Sequence, residues 1–285
     1  MENRRDFLKT VMAAAAGGTG RAALGTPSDM GTDPQGAEEA RTIPVAIIQF
    51  EAVPGQIDRN VRELERLSEA AAQSGARWIL FHELSTCDYV DKTESVTERV
   101  PEGPSTVRMA KIAERLKCYI AFGLAEVHGD RVYDALVFVG PHGYFYHYRK
   151  TWVFRTDKDA GFRNEWSRYD PGTGPEVFEI DGVRATCFIC SDGASPRCIA
   201  EASALKPQVV FFPSNRERLP PLGVFGKKAK TIGAPMLVAN RVGRSVIFDC
   251  RGGCAVISGQ GEVLAQANCE GREEILHYQL TLPKT

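Results

Sequence analysis

The chain reads as a mixed α/β protein, one domain carrying two sheets. Three observations predict this. Buried-strand runs alternate with helical patterns from Ile43 to about Leu116, hairpin-like strand pairs follow them, and no interdomain linker breaks the chain after Ala40.

Val45-Ala46-Ile47-Ile48-Gln49-Phe50 is a short apolar run without helical spacing, so it reads as a buried strand. Asp58 is placed to cap the helix that follows, in which Val61, Leu64, Leu67, Ala71 and Ala72 recur on one face until Gly75. Trp78–Phe81 is a second buried strand. The next helix places Val107, Ala110, Ala113 and Leu116 on one face. Strands are expected at Tyr119–Glu126, Val132–Val139 and Tyr144–Tyr148, separated by the turn pairs Gly129-Asp130 and His142-Gly143. Val183–Cys190 is rich in β-formers, Ser195–Leu205 looks helical, and Gln208–Phe212 is a strand ending at Pro213. A short helix near Val224–Ile232 leads to a strand at Met236–Ala239. The strands near Ala255–Ile257 and Glu262–Ala265 flank the turn Ser258-Gly259-Gln260-Gly261.

Bulk properties exclude several function classes. With 43% hydrophobic and 25% charged residues in 285, the chain can bury a sizeable core. A formal charge of −1 offers no basic face, so neither nucleic acid nor anionic lipid is an expected partner. No apolar run reaches about 18 residues, so no membrane span is expected. The start differs from the rest. Asn3-Arg4-Arg5-Asp6-Phe7-Leu8-Lys9 precedes a mild apolar run, Val11–Ala16, and a Gly/Pro/Ser/Asp-rich stretch. Residues 1–40 therefore resemble a twin-arginine export signal with a flexible linker, and 41–285 form the working domain. The expected location is the periplasm, or the cytoplasm if the signal does not function.

Eight cysteines are spread along the chain, too thinly for a disulfide scaffold. Cys187 and Cys190 have C-x-x-C spacing, which suits a redox dithiol, half of a zinc site with Cys250 and Cys254, or two unrelated thiols. In a strand, residues three apart point to opposite faces, so the pair cannot bring its Cβ atoms to the roughly 4 Å that a disulfide needs. Cys187 is expected in the core. Cys190 precedes Ser191-Asp192-Gly193-Ala194-Ser195-Pro196, which breaks the strand. There the turn and the following helix start favour a thiolate and offer N–H groups to an oxyanion.

Two further residues stand at strand ends. Phe81-His82-Glu83 places a carboxylate where it can serve as general base, and Tyr148-Arg149-Lys150 places an ammonium. In their order and surroundings, Glu83, Lys150 and Cys190 resemble the triad of the nitrilase, or carbon–nitrogen hydrolase, superfamily. The likeness extends to Val132-Tyr133-Asp134-Ala135-Leu136-Val137, Phe188–Asp192, Asn240-Arg241-Val242-Gly243 and Ser258–Ala265, and so covers about Ile43 to Leu282. Glu165, in Glu165-Trp166-Ser167-Arg168-Tyr169-Asp170-Pro171-Gly172, is similar to the second glutamate of the N-carbamoyl amino acid hydrolases. Glu176 and Glu179 read as edge-strand surface residues. The chain departs from the family pattern at Asp134, where asparagine is usual, at Arg197, where glutamate is usual, and at Gly253-Cys254.

The resemblance implies a four-layer α-β-β-α sandwich, a homodimer or higher homo-oligomer, and chemistry without metal or organic cofactor. It implies hydrolysis of a small-molecule amide or N-carbamoyl compound through a thioester on Cys190, with Glu83 as base. Lys150 and the elbow at Ser191 and Asp192 would meet the oxyanion and substrate, and Glu165 would assist. Nitrile hydrolysis by the same triad, a non-catalytic binding protein on this fold, and a redox protein using Cys187 and Cys190 are the alternatives. Arg155, Arg163 or Arg168 is expected to grip a substrate carboxylate, and Lys150→Ala is expected to lose activity while staying folded.

Overall fold

Strands and helices follow one another in the order β1 (Arg41–Gln49), α1 (Ile57–Gln73), β2 (Trp78–Leu80), β3 (Thr97–Glu98), α2 (Pro104–Leu116), β4 (Tyr119–His128), β5 (Arg131–Gly140) and β6 (Gly143–Arg149). The second half continues with β7 (Phe178–Ile180), β8 (Val183–Cys187), α3 (Pro196–Ala204), β9 (Val209–Ser214), α4 (Leu222–Ile232), β10 (Met236–Asn240), β11 (Val242–Arg244), β12 (Asp249–Arg251), β13 (Ala255–Ile257), β14 (Val263–Gln266) and β15 (Glu274–Leu282). The computed structural model describes residues 40–155, 165–246 and 248–282. The expected export signal and Arg163 lie outside them.

One sheet has the order β15-β1-β2-β4-β5-β6, with β3 beside β4; the other has the order β14-β13-β10-β9-β8-β7. The pairs β1–β2, β2–β4, β3–β4, β8–β9 and β9–β10 are parallel, and the remaining pairs of these two sheets are antiparallel.

Period-two alternation builds the layers. Val45 and Ile47 of β1 join Leu136, Phe138, Phe211 and Leu237 between the sheets. Their neighbours Ala46 and Ile48 face Leu64, Leu67, Met109 and Ala113 of α1 and α2. On the far side, Val210 and Phe212 of β9 meet Cys198, Ala202, Phe225 and Ala229 of α3 and α4. β1 and β9 are thus buried on both faces, which is why they are continuous apolar runs. The result is the four-layer α-β-β-α sandwich. Each such fully buried aliphatic contributes about 1.5–3 kcal/mol.

Several local expectations change. Asp58 is not the cap of α1: Gln56 holds that position, and Asp58 lies in the first turn, within 3.5 Å of Arg108. Val107 is exposed, because at about 100° per residue it falls off the α2 stripe that Thr106, Met109 and Ala113 bury. β8 ends at Cys187 rather than Cys190, and β9 runs through Pro213 to Ser214. β15 has no counterpart in the sequence reading. It pairs antiparallel with β1 over its whole length, Arg41 opposite Leu282 and Gln49 opposite Glu274.

Candidate active site

The residues of interest follow the carboxyl ends of neighbouring strands: Glu83 after β2, Lys150 after β6, Cys190 after β8, Asn215 after β9 and Arg241 after β10. Open α/β sheets place their ligands at these ends. Here the two facing sheets present them together.

Lys150 is fully buried, and its Nζ lies 2.5 Å from Glu83 Oε1, 2.7 Å from Glu165 Oε2 and 3.2 Å from Asp134 Oδ2. Burial alone would lower its pKa, but the carboxylates of Glu165, Glu83 and Asp134 outweigh that and hold it well above the usual lysine value. Register explains how Asp134 comes to be there. β5 and β6 pair Ala135 with Arg149, so Asp134 and Lys150 are adjacent, and the Lys150 N–H donates to Asp134 O at 2.8 Å. Burial, and then the neighbouring Glu83, push the Asp134 carboxyl well up despite Lys150.

Two groups that the sequence reading passed over complete this shell. Tyr89 OH donates to Glu165 Oε1 at 2.6 Å and reaches Glu83 Oε1 at 3.3 Å. The Asn215 N–H donates to Glu83 Oε2 at 2.6 Å. Asn215 is held in turn by Asp88, which accepts from Asn215 Nδ2 at 2.7 Å and pairs with the buried Arg241. Asn215 stands one residue past its strand, as other site residues do, and that placement was the available signal. Tyr89 lies in an irregular segment and left none.

Cys190 opens a short 3-10 turn, Cys190–Ala194, with φ +45°. A non-glycine residue held in the left-handed region stores about 1–3 kcal/mol and needs its surroundings to fix it. Asp192 does this. Its buried carboxylate accepts from the N–H groups of Ile189 (2.9 Å), Thr151 (3.0 Å) and Trp152 (2.5 Å) and from Tyr148 OH (2.8 Å). Asp192 therefore ties the Cys190 turn to the segment after Lys150, and both its oxygens are engaged rather than turned to a substrate. Ser191 does line the cavity, and its hydroxyl donates to Trp152 O at 2.5 Å.

The Cys190 thiol is pushed up, by burial first and then by Glu83, with Lys150 acting in the opposite direction. The expected preference for thiolate is thus overridden, because desolvation and the carboxylates outweigh the turn. Cys187 lies between the sheets, and both cysteines are free.

Cys190 and Glu165 open on a cavity of about 380 Å³ lined also by Tyr89, Phe154, Ser191 and Asn215. Among the described residues, the arginines on its wall are Arg216 and Arg218. Arg155 and Arg168 do not line it, and Arg168 instead donates to Val90 O. The departure at Arg197 is remote from the cavity: Arg197 is exposed on α3 and pairs with Glu201 at 2.7 Å. Cys254 is buried against Asn240. Asp134 alone among the departures touches the polar cluster. Among the described residues, no group of three or more His, Cys, Asp or Glu side chains is arranged to hold a metal ion.

Residues 44–285 match the family model described as carbon-nitrogen hydrolase. The chain is 27% identical over 243 residues to a nitrilase of Pyrococcus abyssi, covering 82% of this chain and 87% of that one. It is 28% identical over 274 residues to an N-carbamoylputrescine amidase of Solanum lycopersicum, covering 87% and 89%. Its fold is similar to that of a Nesterenkonia AN1 amidase of the nitrilase superfamily, with a TM-score of 0.72 at 20% identity over 88% and 93% of the two chains. A variant of that amidase carries acrylamide added at its active-site cysteine.

Proposed function

The chain belongs to the carbon–nitrogen hydrolase family, and within it we propose that this protein hydrolyses the C–N bond of a small linear amide or N-carbamoyl compound through a thioester on Cys190. One observation carries the reading. A buried carboxylate–ammonium pair, Glu83 and Lys150 at 2.5 Å, stands with Glu165 beside the single partly exposed thiol of the cavity.

Because the thiol is held protonated, attack needs a base, and Glu83 accepts the Cys190 proton as Sγ bonds to the carbonyl carbon. The oxygen that becomes negative is met by Lys150 and by backbone N–H groups of the Cys190 turn. Losing one such donor typically costs about 3–4 kcal/mol of transition-state stabilisation. Glu83 then passes its proton to the nitrogen, the C–N bond breaks, and ammonia or an amine leaves a thioester. Water, deprotonated by Glu83 or Glu165, attacks the thioester carbon. The C–S bond breaks, the acid is released and the proton returns to sulfur. No step requires a metal or an organic cofactor. The nitrilase relative keeps nitrile hydrolysis as the second reading, with the same nucleophile adding to a nitrile carbon.

Incubation with a library of amides, ureido compounds and nitriles, followed by intact-mass measurement and ammonia detection, tests this. The expected result is an acyl adduct and ammonia release that both vanish in Cys190→Ser. Absence of both in the unaltered protein would leave a binding protein, and a two-proton mass difference across Cys187 and Cys190 would indicate redox chemistry.

A further inference from the structure

One part of the cavity wall is built from the segment after β9, Asn215-Arg216-Glu217-Arg218. This segment is fixed at its start. The Arg216 N–H donates to Asn240 Oδ1 at 3.0 Å, one residue after Asn215 is anchored to Glu83 and Asp88. Arg216 is half-buried, and its guanidinium lies 5.7 Å from the centroid of the Phe225 ring, which supports it from α4.

Several arginines elsewhere in this fold have carboxylate partners: Arg77 with Asp181, Arg108 with Glu65, Arg149 with Glu126, Arg197 with Glu201 and Arg241 with Asp88. Among the described residues, Arg216 and Arg218 have none, although both face the cavity. The carboxylates nearest to serving them are otherwise engaged. Glu165 is taken up by Lys150, Tyr89 and the Phe154 N–H, and Glu217 on the rim has an interaction of its own. A third cation reinforces the sign of this wall: Lys228 of α4 donates to Gly193 O on the Cys190 turn.

We propose that Arg216, aided by Arg218, binds an anionic group of the substrate, so that the compounds taken are amides or ureido compounds carrying a carboxylate. An arginine fork matches a carboxylate with two parallel N–H donors, and an arginine already positioned loses little freedom on binding. The same wall repels a cationic substrate end. N-carbamoylputrescine, named for the tomato relative, carries a free amine that is cationic at neutral pH, and this chain discriminates against it. The proposal names the substrate class for the hydrolysis proposed above and rests on it for turnover. The charge preference of the cavity is testable without turnover.

Iodoacetate and iodoacetamide differ in charge at nearly equal size. Each alkylates a thiol by forming S–C and expelling iodide while the thiol proton goes to a base. The rates of carboxymethylation and carbamidomethylation of the full chain are followed by intact mass, with Cys190→Ser run in parallel to subtract other thiols. Arg216 also acts on the thiol itself, but that influence is common to both reagents and cancels in their ratio. The iodoacetate-to-iodoacetamide ratio is expected to fall about tenfold in Arg216→Gln, the loss of one charge-assisted hydrogen bond. Arg218→Gln is expected to lower it less, and Arg216→Lys to keep part of it, with circular dichroism verifying the fold. An unchanged ratio in the Arg216→Gln/Arg218→Gln double variant overturns the proposal.

Ammonia release from N-carbamoylglycine and from the uncharged isobutylurea separates the two ideas. A ratio that falls as expected, with no release from any amide, leaves the anion site standing and removes the hydrolysis. Release that favours isobutylurea, with Arg216→Gln unchanged, removes the anion site and leaves the hydrolysis.

Discussion

At Lys150 one ammonium faces the buried side chains of Glu83, Glu165 and Asp134, and removing it leaves Glu83 and Glu165 without their counter-ion. Breaking a buried charge pair by deleting one partner costs about 3–5 kcal/mol. Lys150→Ala is therefore expected to lose activity and to unfold at clearly lower denaturant, which revises the simpler expectation of an inactive but equally stable variant. Urea unfolding beside ammonia release checks both halves. Cys190→Ala removes no charge partner and is the cleaner knock-out. It should abolish turnover while its unfolding midpoint stays near that of the unaltered protein. Asp134 provides a pH signature. Burial raises its folded carboxyl above the unfolded value of 3.8, so the folded state holds that proton more tightly. As pH rises past the unfolded value, unfolding releases the proton and stability falls, until the folded carboxyl also titrates. Asp134→Asn removes this loss and is expected to gain stability relative to the unaltered chain between pH 4 and pH 8. Parallel melting-temperature curves for the two proteins over that range would refute it.

The elements matter here for where they stop. Glu83 is aimed by the tight approach of β4 to the segment after β2: a Cβ on Gly123 would lie 2.3 Å from Leu84 N and 2.9 Å from His82 O. Ser85 reinforces the contact, its hydroxyl accepting from the Gly123 N–H at 2.9 Å. Gly123→Ala must therefore shift either β4 or Glu83 itself. Since misplacing a reacting group by about 1 Å can cost 100-fold, turnover in Gly123→Ala is expected to fall by about that factor. Ammonia release with a circular dichroism control measures it, and unchanged turnover would show that Glu83 does not need this placement. The Asn240-Arg241 stretch, legible only as part of a family pattern, acquires a physical reason at this scale. Arg241 is buried after β10, pairs with Asp88, and so steadies Asn215 against Glu83.

For the whole molecule, the two-sheet sandwich and its outer helices leave large apolar side chains exposed on segments near the cavity, Trp152 and Phe154 after β6 and Val224 on α4. Together with the resemblance, this supports the proposal of a homo-oligomer. Light scattering is expected to give a multiple of the 31.3 kDa chain mass; a monomer would refute it. No helix among the described residues is long and apolar enough to cross a membrane. Export by the paired arginines remains a proposal about residues 1–40. Replacing Arg4 and Arg5 by Lys should retain the protein in the cytoplasm, which fractionation and immunoblotting of producing cells would detect.

Local chemistry determined much of this in the sequence itself. The apolar runs that became β1, β4, β5, β9 and β10 could be read because burial on both faces demands continuous apolar residues. The separate fates of Cys187 and Cys190 followed from strand alternation and the chain break at Ser191. Glu83, Lys150 and Cys190 were legible because each closely follows a strand, a place where a polar group is otherwise solvated. Only the tertiary structure decided what depends on distant segments meeting. It paired β15 with β1, brought Tyr89 and Asn215 to Glu83, and turned Asp192 into a fastening for the Cys190 turn. It also placed Arg216 and Arg218, rather than Arg155 or Arg168, on the cavity wall. A guanidinium on a loop looks the same in sequence whether it faces solvent, a carboxylate or a cavity. The packing of β9 against β8 and β10, which carries the segment after β9 to the cavity wall, made the choice.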